Sequence, residues 1–421
     1  MKLLDVNLME NDICTIAAYK TGNKVFVLFR QHIMQKVEHN GVISVIFQKR
    51  AYHNRCMMNI IVICAAAYMV CGADVFHISI VKVYKNNNIF NIFELDMQPE
   101  VSIIIVSMNN TRFLFPCLDG IREHTRSTYE TLVVAYMFSE GNLAELKSKY
   151  PWVTVIESQE LRGFAENNNL ALRQAAGRYA FIVNDDTLMS MPVIDRLVSD
   201  IEGLPENTAA VSPKIVFPDG TVQTCGRGPW NMSRYLRHYL HLVDETKKTE
   251  WTMQDGLFRT WTLNGACFLA KTAIFKECGW FDETYTFTPE DIALGLLFNR
   301  RGYAVYTDAD VSITHIANAT ASRIEAAIKP TRVRGSLILY SSLKHIDSPQ
   351  GTSRICKIKY FAAGMLIWCY EAIRGLKYMF CDCSDATEKS RRNRIMRDTA
   401  ANVRRNIFTA KSTKAIFTEL L

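Results

Sequence analysis

The chain has 421 residues, of which 48% are hydrophobic and 22% are charged. This composition is typical of a globular protein and excludes a disordered, collagen-like or low-complexity chain. A formal net charge of +7 is too small for a dedicated nucleic-acid-binding protein, so no nucleic-acid partner is expected. The twelve cysteines are scattered and show no paired CxxC spacing, which predicts reduced, mostly buried thiols in a cytosolic protein.

Residues 1–98 lack the regular periodicity of the rest of the chain and are predicted to be an N-terminal extension of uncertain order. Within them, the run 57–73 is apolar apart from Asn59 and follows a short basic segment. Spanning a bilayer takes about 20 apolar residues, so this run is borderline for a membrane segment. The alternatives are a buried element, a poorly ordered extension, or a functional protein that begins at Met97.

From residue 101 onward the chain alternates predicted strands and helices. Strands are predicted at 101–106, 129–136, 152–157 and 179–183, and helices at 111–127, 142–150 and 167–176. This alternation is typical of an α/β fold, with a parallel sheet covered by helices on both faces. Because ligands of such sheets bind beyond the carboxyl ends of the strands, the loops that follow these strands are expected to carry the chemistry.

Two adjacent carboxylates, Asp185 and Asp186, follow the fourth predicted strand within the sequence NDDT. If they were buried together, they would repel each other and lose hydration. A divalent cation would relieve both penalties, and Mg²⁺ or Mn²⁺ prefers oxygen ligands. Since Asn, Asp and Thr are also good helix caps, a solvated turn or cap stays open as the alternative.

A second acidic pair, Glu290 and Asp291, opens the helix-like stretch 292–301. Carboxylates at a helix start are favoured by the helix dipole, so an ordinary first turn is one interpretation. The functional interpretation is a general base, in which an aspartate takes the proton of an acceptor hydroxyl as that hydroxyl attacks a sugar carbon.

The region after residue 330 combines apolar and basic segments. The apolar stretch 360–370 has lysines and arginines on both sides, and residues 352–421 hold fourteen Lys and Arg against six Asp and Glu. The stretch is too short to span a bilayer, but such a segment suits an anionic membrane surface. This interpretation predicts a cytoplasmic protein, peripheral at the inner face of the cell membrane. A docked helical subdomain with a solvated basic face is the alternative.

Seven stretches between residues 101 and 323 together resemble family 2 glycosyltransferases of the GT-A fold, closest to the rhamnosyltransferase-like branch. They are VSIIIVSMNN (101–110), RGFAENNNLAL (162–172), GRYAFIVNDDT (177–187), SPKIVFPDGTVQ (212–223), WTLNGACFLAKTAIFKECGWFDE (261–283), PEDIALGLLFNRRGY (289–303) and ITHIANATAS (313–322). Each is weak alone, but their order over about half of the chain makes the resemblance specific. It implies a GT-A domain at 99–330, similar to nucleotide-diphospho-sugar transferases, with a mostly parallel sheet flanked by helices. A helical, basic C-terminal extension would follow at 331–421.

The same resemblance implies roles for individual residues. Asp186 and His315 would hold Mg²⁺ or Mn²⁺, and Asp291 would be the catalytic base with Glu290 beside it. The positions matched to substrate binding are Ser107, Asn109, Gly163, Phe164, Asn168, Asn184, Asp185, Asn264, Gly265 and Ala266. For His315, a buried histidine at the end of a strand stays open as the alternative.

The implied activity is that of an inverting, metal-dependent glycosyltransferase. It would move a sugar from a nucleotide-diphospho-sugar to a hydroxyl of a glycan or lipid-linked acceptor in cell-envelope polysaccharide synthesis. Three positions depart from the family pattern: Ala135 stands where an Asp contacts the base, and Ala293 and Leu297 replace the second Asp and the Arg of an EDxDLxxR motif. These departures leave open a GT-A-like protein that binds a nucleotide-sugar without turning it over. A nucleotidyltransferase is disfavoured, because no Gly-rich, Lys-bearing phosphate loop lies near the first strand.

Overall fold

The computed structural model describes residues 99–223, 228, 231–243, 255–316, 325–342, 353–380 and 388–421, together with the strands between residues 4 and 97. The chain divides into two compact units, Met1–Gln98 and Pro99–Leu421. Among the described residues, no helix has the length and apolar content needed to cross a membrane.

The described strands of the first unit form two antiparallel sheets. Its strands are β1 (Leu4–Leu8), β2 (Cys14–Thr21), β3 (Lys24–Phe29), β4 (Met34–His39), β5 (Val42–Phe47), β6 (Ala67–Cys71), β7 (Asp74–Lys85) and β8 (Asn88–Met97). One sheet has the order β1-β2-β3 and the other the order β4-β5-β8-β7-β6. Of the apolar run 57–73, the parts at 57–66 and 72–73 lie outside the described residues, and 67–71 form β6.

A nine-stranded sheet forms the centre of the described part of the second unit. Its strands are β9 (Val101–Met108), β10 (Tyr129–Tyr136), β11 (Thr154–Ser158), β12 (Tyr179–Asn184), β13 (Thr187–Leu188), β14 (Thr208–Val216), β15 (Leu257–Thr260), β16 (Cys267–Lys271) and β17 (Ala304–His315). Their order is β11-β10-β9-β12-β16-β14-β17-β13, and β15 pairs with β17. The neighbours from β9 to β12 are parallel, as are β14 and β17, whereas β16 is antiparallel to both of its neighbours.

Helices cover both faces of this sheet. They are α1 (Thr111–His124), α2 (Glu140–Lys149), α3 (Phe164–Leu172), α4 (Val193–Gly203), α6 (Thr272–Glu277) and α7 (Glu290–Arg300), whereas α5 (Met232–Tyr239) packs against the C-terminal helices. Because side chains alternate along a strand, β9 contributes to two separate apolar clusters. Ile103 packs in the cluster that contains Leu118 of α1, and Ile104 packs in the cluster that contains Leu172 of α3 and Phe298 of α7.

Among the described residues after the sheet, four further helices build the C-terminal part. They are α8 (Glu325–Ser342), α9 (Arg354–Phe380), α10 (Glu388–Asn406) and α11 (Thr413–Leu420). A third apolar cluster, which includes Tyr235, Leu337, Ile367 and Val403, joins α5, α8, α9 and α10. The predicted α/β fold with a mostly parallel sheet, flanking helices and a helical C-terminal extension is therefore confirmed. The predicted domain boundary at 330/331 falls inside α8 and stays a prediction.

The elements predicted between residues 101 and 184 are present, with shifts at their ends. The largest shift is in α3, which spans Phe164–Leu172 rather than 167–176. It begins early because Gly163 caps it in an extended conformation and donates its N–H to the Glu166 side chain at 3.1 Å. This bond satisfies the backbone N–H of Gly163 at the start of the helix.

Candidate active site

A cavity of about 320 Å³ opens at the carboxyl ends of β9, β10 and β12. Most of the residues singled out from the sequence line it: Gly163, Phe164, Asn184, Asp185, Asp186, Asn264, Gly265, Ala266, Glu290, Asp291 and His315. The two acidic pairs, which are about a hundred residues apart in the chain, therefore share one cavity. We call it the first cavity.

Asp185, directly after β12, is a buried carboxyl group. The Ser107 hydroxyl donates a 2.6 Å hydrogen bond to Oδ2 of Asp185. Burial raises the pKa of Asp185 to about 7, and the neighbouring charge of Asp186 acts in the same direction, whereas the bond from Ser107 lowers it. Ser107 does not line the cavity itself, and it contacts the site through its hydrogen bond to Asp185.

Asp186 lies beside His315 because β13 pairs with the end of β17, with Thr187 opposite His315. The distance between Oδ1 of Asp186 and Nε2 of His315 is 3.1 Å. Nδ1 of His315 lies 2.8 Å from Oε1 of Gln223, whose Nε2 donates to the His315 carbonyl at 2.6 Å. This second bond orients the amide, so Oε1 can only accept and Nδ1 carries the proton. In the neutral ring, Nε2 presents its lone pair towards Asp186, which is the state in which histidine binds metals.

Asp186 and His315 have the chemistry of a partial site for Mg²⁺ or Mn²⁺. Two acceptor atoms at 3.1 Å repel each other unless a proton or a cation lies between them. In an octahedral site, ligands about 2.1 Å from the ion lie about 3 Å from their neighbours, which matches this separation. The described residues contain no group of three or more His, Cys, Asp or Glu side chains able to hold a metal. Substrate oxygens and water would therefore have to complete the coordination, as is common for Mg²⁺ bound with phosphates.

A short turn at 264–266 joins the two acidic pairs. The carbonyl of Ala266 accepts the N–H of Asn184 at 3.0 Å, and the N–H of Gly265 donates to Oδ2 of Asp291 at 2.8 Å. A Cβ atom at position 265 would lie 3.4 Å from Cβ of Asp291, so glycine suits this close approach. The turn thereby fixes the start of α7 relative to the end of β12.

Glu290 and Asp291 have different surroundings in the first turn of α7. Glu290 is buried, and its burial together with the charge of Asp291 raises its pKa well above the usual range. The charge of Arg332 acts in the opposite direction. Because Glu290 holds its proton near neutral pH, Asp291 is the member of the pair that is suited to act as an anion and a base.

The loop before α3 closes another side of the first cavity. Phe164 donates its N–H to the carbonyl of Thr286 at 2.8 Å, and a Cβ atom at Gly163 would lie 2.2 Å from that carbonyl oxygen. Only glycine fits this approach. Asn168 does not line the cavity, because its side chain donates to the Phe164 carbonyl at 2.9 Å, and Asn167 lies there instead.

Asn109 also lies outside the lining of the first cavity. Its Oδ1 accepts hydrogen bonds from the Ser139 N–H at 3.0 Å and from the Asn142 side chain at 2.8 Å. The backbone of Asn109 has a φ of 50°, a conformation that asparagine adopts more readily than most residues. Its observed contacts therefore organise the loops that follow β9 and β10.

The three departures from the family pattern are accommodated by apolar packing. Ala135 is fully buried in the cluster around β9 and α1, and Ala293 is buried against the C-terminal helices. Leu297 packs against the cluster on the other face of the sheet. The Asp and Arg of the usual motif are replaced together, so neither is left as a buried charge without its partner.

Sequence reasoning assigned no role to Gln223, Arg332 or Tyr136. Gln223 is the last residue of a stretch that had been matched to the family, but its bond to His315 spans 92 positions. Arg332 lies on α8, in a segment without a recognised motif, and Tyr136 is the last residue of β10. Both residues line the first cavity. Such positions are identified by spatial proximity, which a single sequence does not contain.

A family model described as "Glycosyltransferase like family 2" matches residues 99–334. The O-antigen biosynthesis protein RfbC of Myxococcus xanthus is 29% identical over 233 residues, which cover 53% of this chain and 18% of that protein. An N-acetylglucosaminyl-diphospho-decaprenol L-rhamnosyltransferase of Mycobacterium tuberculosis is 27% identical over 221 residues, which cover 46% of this chain and 70% of that protein.

Among solved structures, a mannosyltransferase from Pyrobaculum calidifontis in complex with GDP-Man and Mn²⁺ aligns with a TM-score of 0.43 and 15% identity, over 73% of this chain and 87% of that chain. The match to the family model covers more than half of the chain and includes every residue that lines the first cavity. This chain therefore belongs to the family 2 glycosyltransferases.

Proposed function

We propose that the chain is an inverting, metal-dependent glycosyltransferase that takes a sugar from a nucleotide-diphospho-sugar. The acceptor is a hydroxyl of a glycan or lipid-linked glycan in cell-envelope polysaccharide synthesis. The observation that carries the proposal is the meeting of Asp186 and His315 with Asp291 in one cavity. Relatives named for O-antigen biosynthesis and for rhamnosyl transfer to a diphospho-decaprenol acceptor support the biological setting.

The donor diphosphate would lie beside Asp186 and His315. A bound Mg²⁺ or Mn²⁺ supplies charge neutralisation for the diphosphate leaving group as the bond to the sugar breaks. His315 is held for this role by Gln223, and Asn184 Nδ2 lies 3.3 Å from Nε2 of the same ring. Asp185 is placed one residue before the proposed ligand, in a more buried position.

Asp291 would take the proton of the acceptor hydroxyl during a single displacement at the anomeric carbon. The acceptor oxygen forms the new bond to that carbon, the diphosphate leaves with the electrons of the old bond, and the proton goes to the Asp291 carboxylate. The N–H of Gly265 holds that carboxylate in place. One displacement through an oxocarbenium-like transition state inverts the configuration, so no covalent intermediate is needed.

A screen of nucleotide-sugars by thermal unfolding in the presence of Mn²⁺ tests the proposal. A ligand at about a hundred times its Kd stabilises the fold by about 2.7 kcal/mol through mass action, which raises Tm measurably. We expect one nucleotide-sugar class to raise Tm in the presence of Mn²⁺ and to be hydrolysed slowly without an acceptor. Binding with no hydrolysis and no transfer would favour a protein that binds a nucleotide-sugar without turning it over.

Gln223→Leu should weaken Mn²⁺ binding by about 10–100-fold, because the partner of a metal-binding histidine sets its tautomer and orientation. The affinity can be measured from the electron paramagnetic resonance signal of free Mn²⁺, without any turnover. Gln174→Leu is the matched control, since Gln174 is exposed and its side chain donates only to the Leu170 carbonyl. Equal Mn²⁺ affinities for both variants would contradict the role given to Gln223.

We also propose that α9 lies on an anionic membrane surface at the inner face of the cell membrane. Its 27 residues expose a row of large apolar side chains, each between 52% and 70% accessible to solvent: Ile355, Ile358, Phe361, Leu366, Ile373 and Leu376. Lys357, Lys359 and Lys377 lie on the same helix and are exposed. Apolar side chains beside cations are typical of helices that lie in the interface of anionic membranes.

Ile358→Glu combined with Ile373→Glu should reduce co-sedimentation with vesicles that contain phosphatidylglycerol. Burying an Ile side chain contributes about 1.5–3 kcal/mol, so we expect the affinity to fall at least about tenfold. Phe217→Glu serves as the control, because Phe217 is 37% exposed and lies in the loop after β14 rather than on α9. If α9 belongs to a solvated helical subdomain instead, the wild type, the double variant and Phe217→Glu should all co-sediment with the vesicles to the same small extent.

A further inference from the structure

A second cavity, of about 540 Å³, lies beside the first. Side chains from α5, α8, α9 and α10 and from the start of α7 line it. Thr288 and Arg332 line both cavities. The two cavities therefore adjoin at Thr288 and Arg332.

The lining of the second cavity has an excess of positive charge. Among the described residues, Lys329, Arg332 and Arg374 line it together with one carboxylate, Glu371, and no other acidic side chain. Two histidines, His238 and His241, line it as well and add charge if they are protonated. Three cations against one anion attract a negatively charged ligand.

A fully buried carboxylate holds two of these cations in place. Oε1 of Glu371 lies 3.3 Å from Nζ of Lys329 and 3.0 Å from Nη1 of Arg374, and it accepts a 2.6 Å hydrogen bond from the Tyr239 hydroxyl. Glu371 itself has no exposed surface. Buried ion pairs contribute little to stability compared with apolar residues of similar volume, so the arrangement is better explained by the cations that it positions.

Aromatic rings form another part of the lining. The rings of Tyr235 and Tyr239 are 5.9 Å apart, and those of Tyr235 and Tyr340 are 5.1 Å apart. Lys329 Nζ lies 5.6 Å from the centre of the Tyr239 ring. Rings beside fixed cations offer apolar faces for a sugar or a hydrocarbon next to a site for a phosphate group.

The second cavity also lies next to the apolar face of α9. Arg374 lines the cavity, while Ile373, its neighbour in the helix, is 70% exposed on the outer face. The lining of the second cavity and the apolar surface that we assign to the membrane therefore share one helix, α9. A phosphate group carried by a membrane-anchored lipid would need a binding site in this position, next to the apolar face of α9.

We propose that the second cavity binds the phosphate or diphosphate group of a lipid-linked acceptor, with Lys329, Arg332 and Arg374 as its cations. The proposal rests on the proposed function, because it requires the donor diphosphate to occupy the first cavity near Asp186 and His315. The acceptor sugar would span the shared wall at Thr288 and Arg332 and bring its hydroxyl to Asp291. The hydrocarbon chain would leave towards α9.

Binding of farnesyl diphosphate, measured by titration calorimetry without divalent metal, tests the proposal independently of turnover. Wild-type protein should bind it, and Lys329→Met should weaken the binding about tenfold, since charge-assisted hydrogen bonds are among the stronger ones. Lys276→Met is the matched control, because Lys276 is an exposed lysine on α6 and should bind as wild type does. Asp186→Ala should also bind farnesyl diphosphate normally, since the donor site is a different one.

Lys329→Met leaves Glu371 with one cation fewer, so the double variant Lys329→Met/Glu371→Gln guards against misfolding. It should fold with the wild-type Tm and still bind more weakly than Lys276→Met. Undiminished binding of farnesyl diphosphate by both Lys329 variants would overturn the proposal. Equal affinities for inorganic pyrophosphate and farnesyl diphosphate would also overturn it, because they would indicate a site for a free anion. If farnesyl diphosphate binds as expected but no nucleotide-sugar binds or is hydrolysed, the proposed function fails while this site stands.

Discussion

Asp291→Asn should bind metal and nucleotide-sugar as the wild type does, and should transfer sugar about 10²–10⁴ times more slowly. The amide keeps the size of the carboxylate, and its oxygen can still accept the N–H of Gly265, so the turn at 264–266 should keep its place. An amide cannot take a proton from the acceptor hydroxyl at neutral pH. Single-turnover transfer, measured beside the donor Kd, separates this chemical loss from a loss of binding.

Glu290→Gln provides the matched comparison for Asp291→Asn. Glu290 is buried and holds its proton near neutral pH, so a neutral amide changes its charge little. We expect it to lose much less transfer activity than Asp291→Asn does. Full activity of Asp291→Asn would contradict the assignment of Asp291 as the base. A larger loss of transfer activity in Glu290→Gln than in Asp291→Asn would assign the base to Glu290 instead.

Asp186→Ala should abolish the metal dependence of donor binding and reduce transfer by about 10³-fold or more, because charge neutralisation by a bound cation contributes several kcal/mol to the transition state. His315 would remain held by Gln223, but a single neutral nitrogen binds Mg²⁺ or Mn²⁺ poorly. The decisive measurement is the dependence of donor affinity and transfer rate on Mn²⁺ concentration.

Asp398→Ala is the matched control for Asp186→Ala. Asp398 lies on α10, is 64% exposed and pairs with Arg397 at 3.5 Å, so its loss should leave the Mn²⁺ dependence unchanged. An Asp186→Ala protein that responds to Mn²⁺ like this control would show that the ion, if required, binds elsewhere.

The elements between residues 101 and 184 could be predicted because their signals are local. From Val101 to Val106, β9 is β-branched apart from Ser102 and is buried on both faces, and such a run indicates an interior parallel strand without knowledge of its neighbours. The shift of α3 has a local cause too, since Gly163 and Glu166 form a cap that the apolar pattern does not reveal. Helix ends depend on such individual hydrogen bonds, whereas helix existence depends on many residues.

The second half of the sheet required the tertiary structure. β16 lies between β12 and β14 although it follows both in the chain, and it runs antiparallel to both of them. The pairing of Thr187 with His315 joins residues that are more than a hundred positions apart. Pairings of this kind depend on which distant segments bury each other's surface, and a single sequence does not record that choice.

The fold class, the family resemblance and the two acidic pairs can be read from the sequence, because each depends on residues that are adjacent or regularly spaced. Which side chains face the first cavity depends on the packing of distant segments. Ser107, Asn109 and Asn168 do not line this cavity, although Ser107 and Asn168 bond to Asp185 and Phe164, which do. Arg332 lines it, and Gln223 contacts it through His315. The second cavity likewise exists only where α5, α8, α9 and α10 pack together. The physical reason is that the position of a side chain in space depends on long-range packing, whereas its chemistry depends on its identity alone.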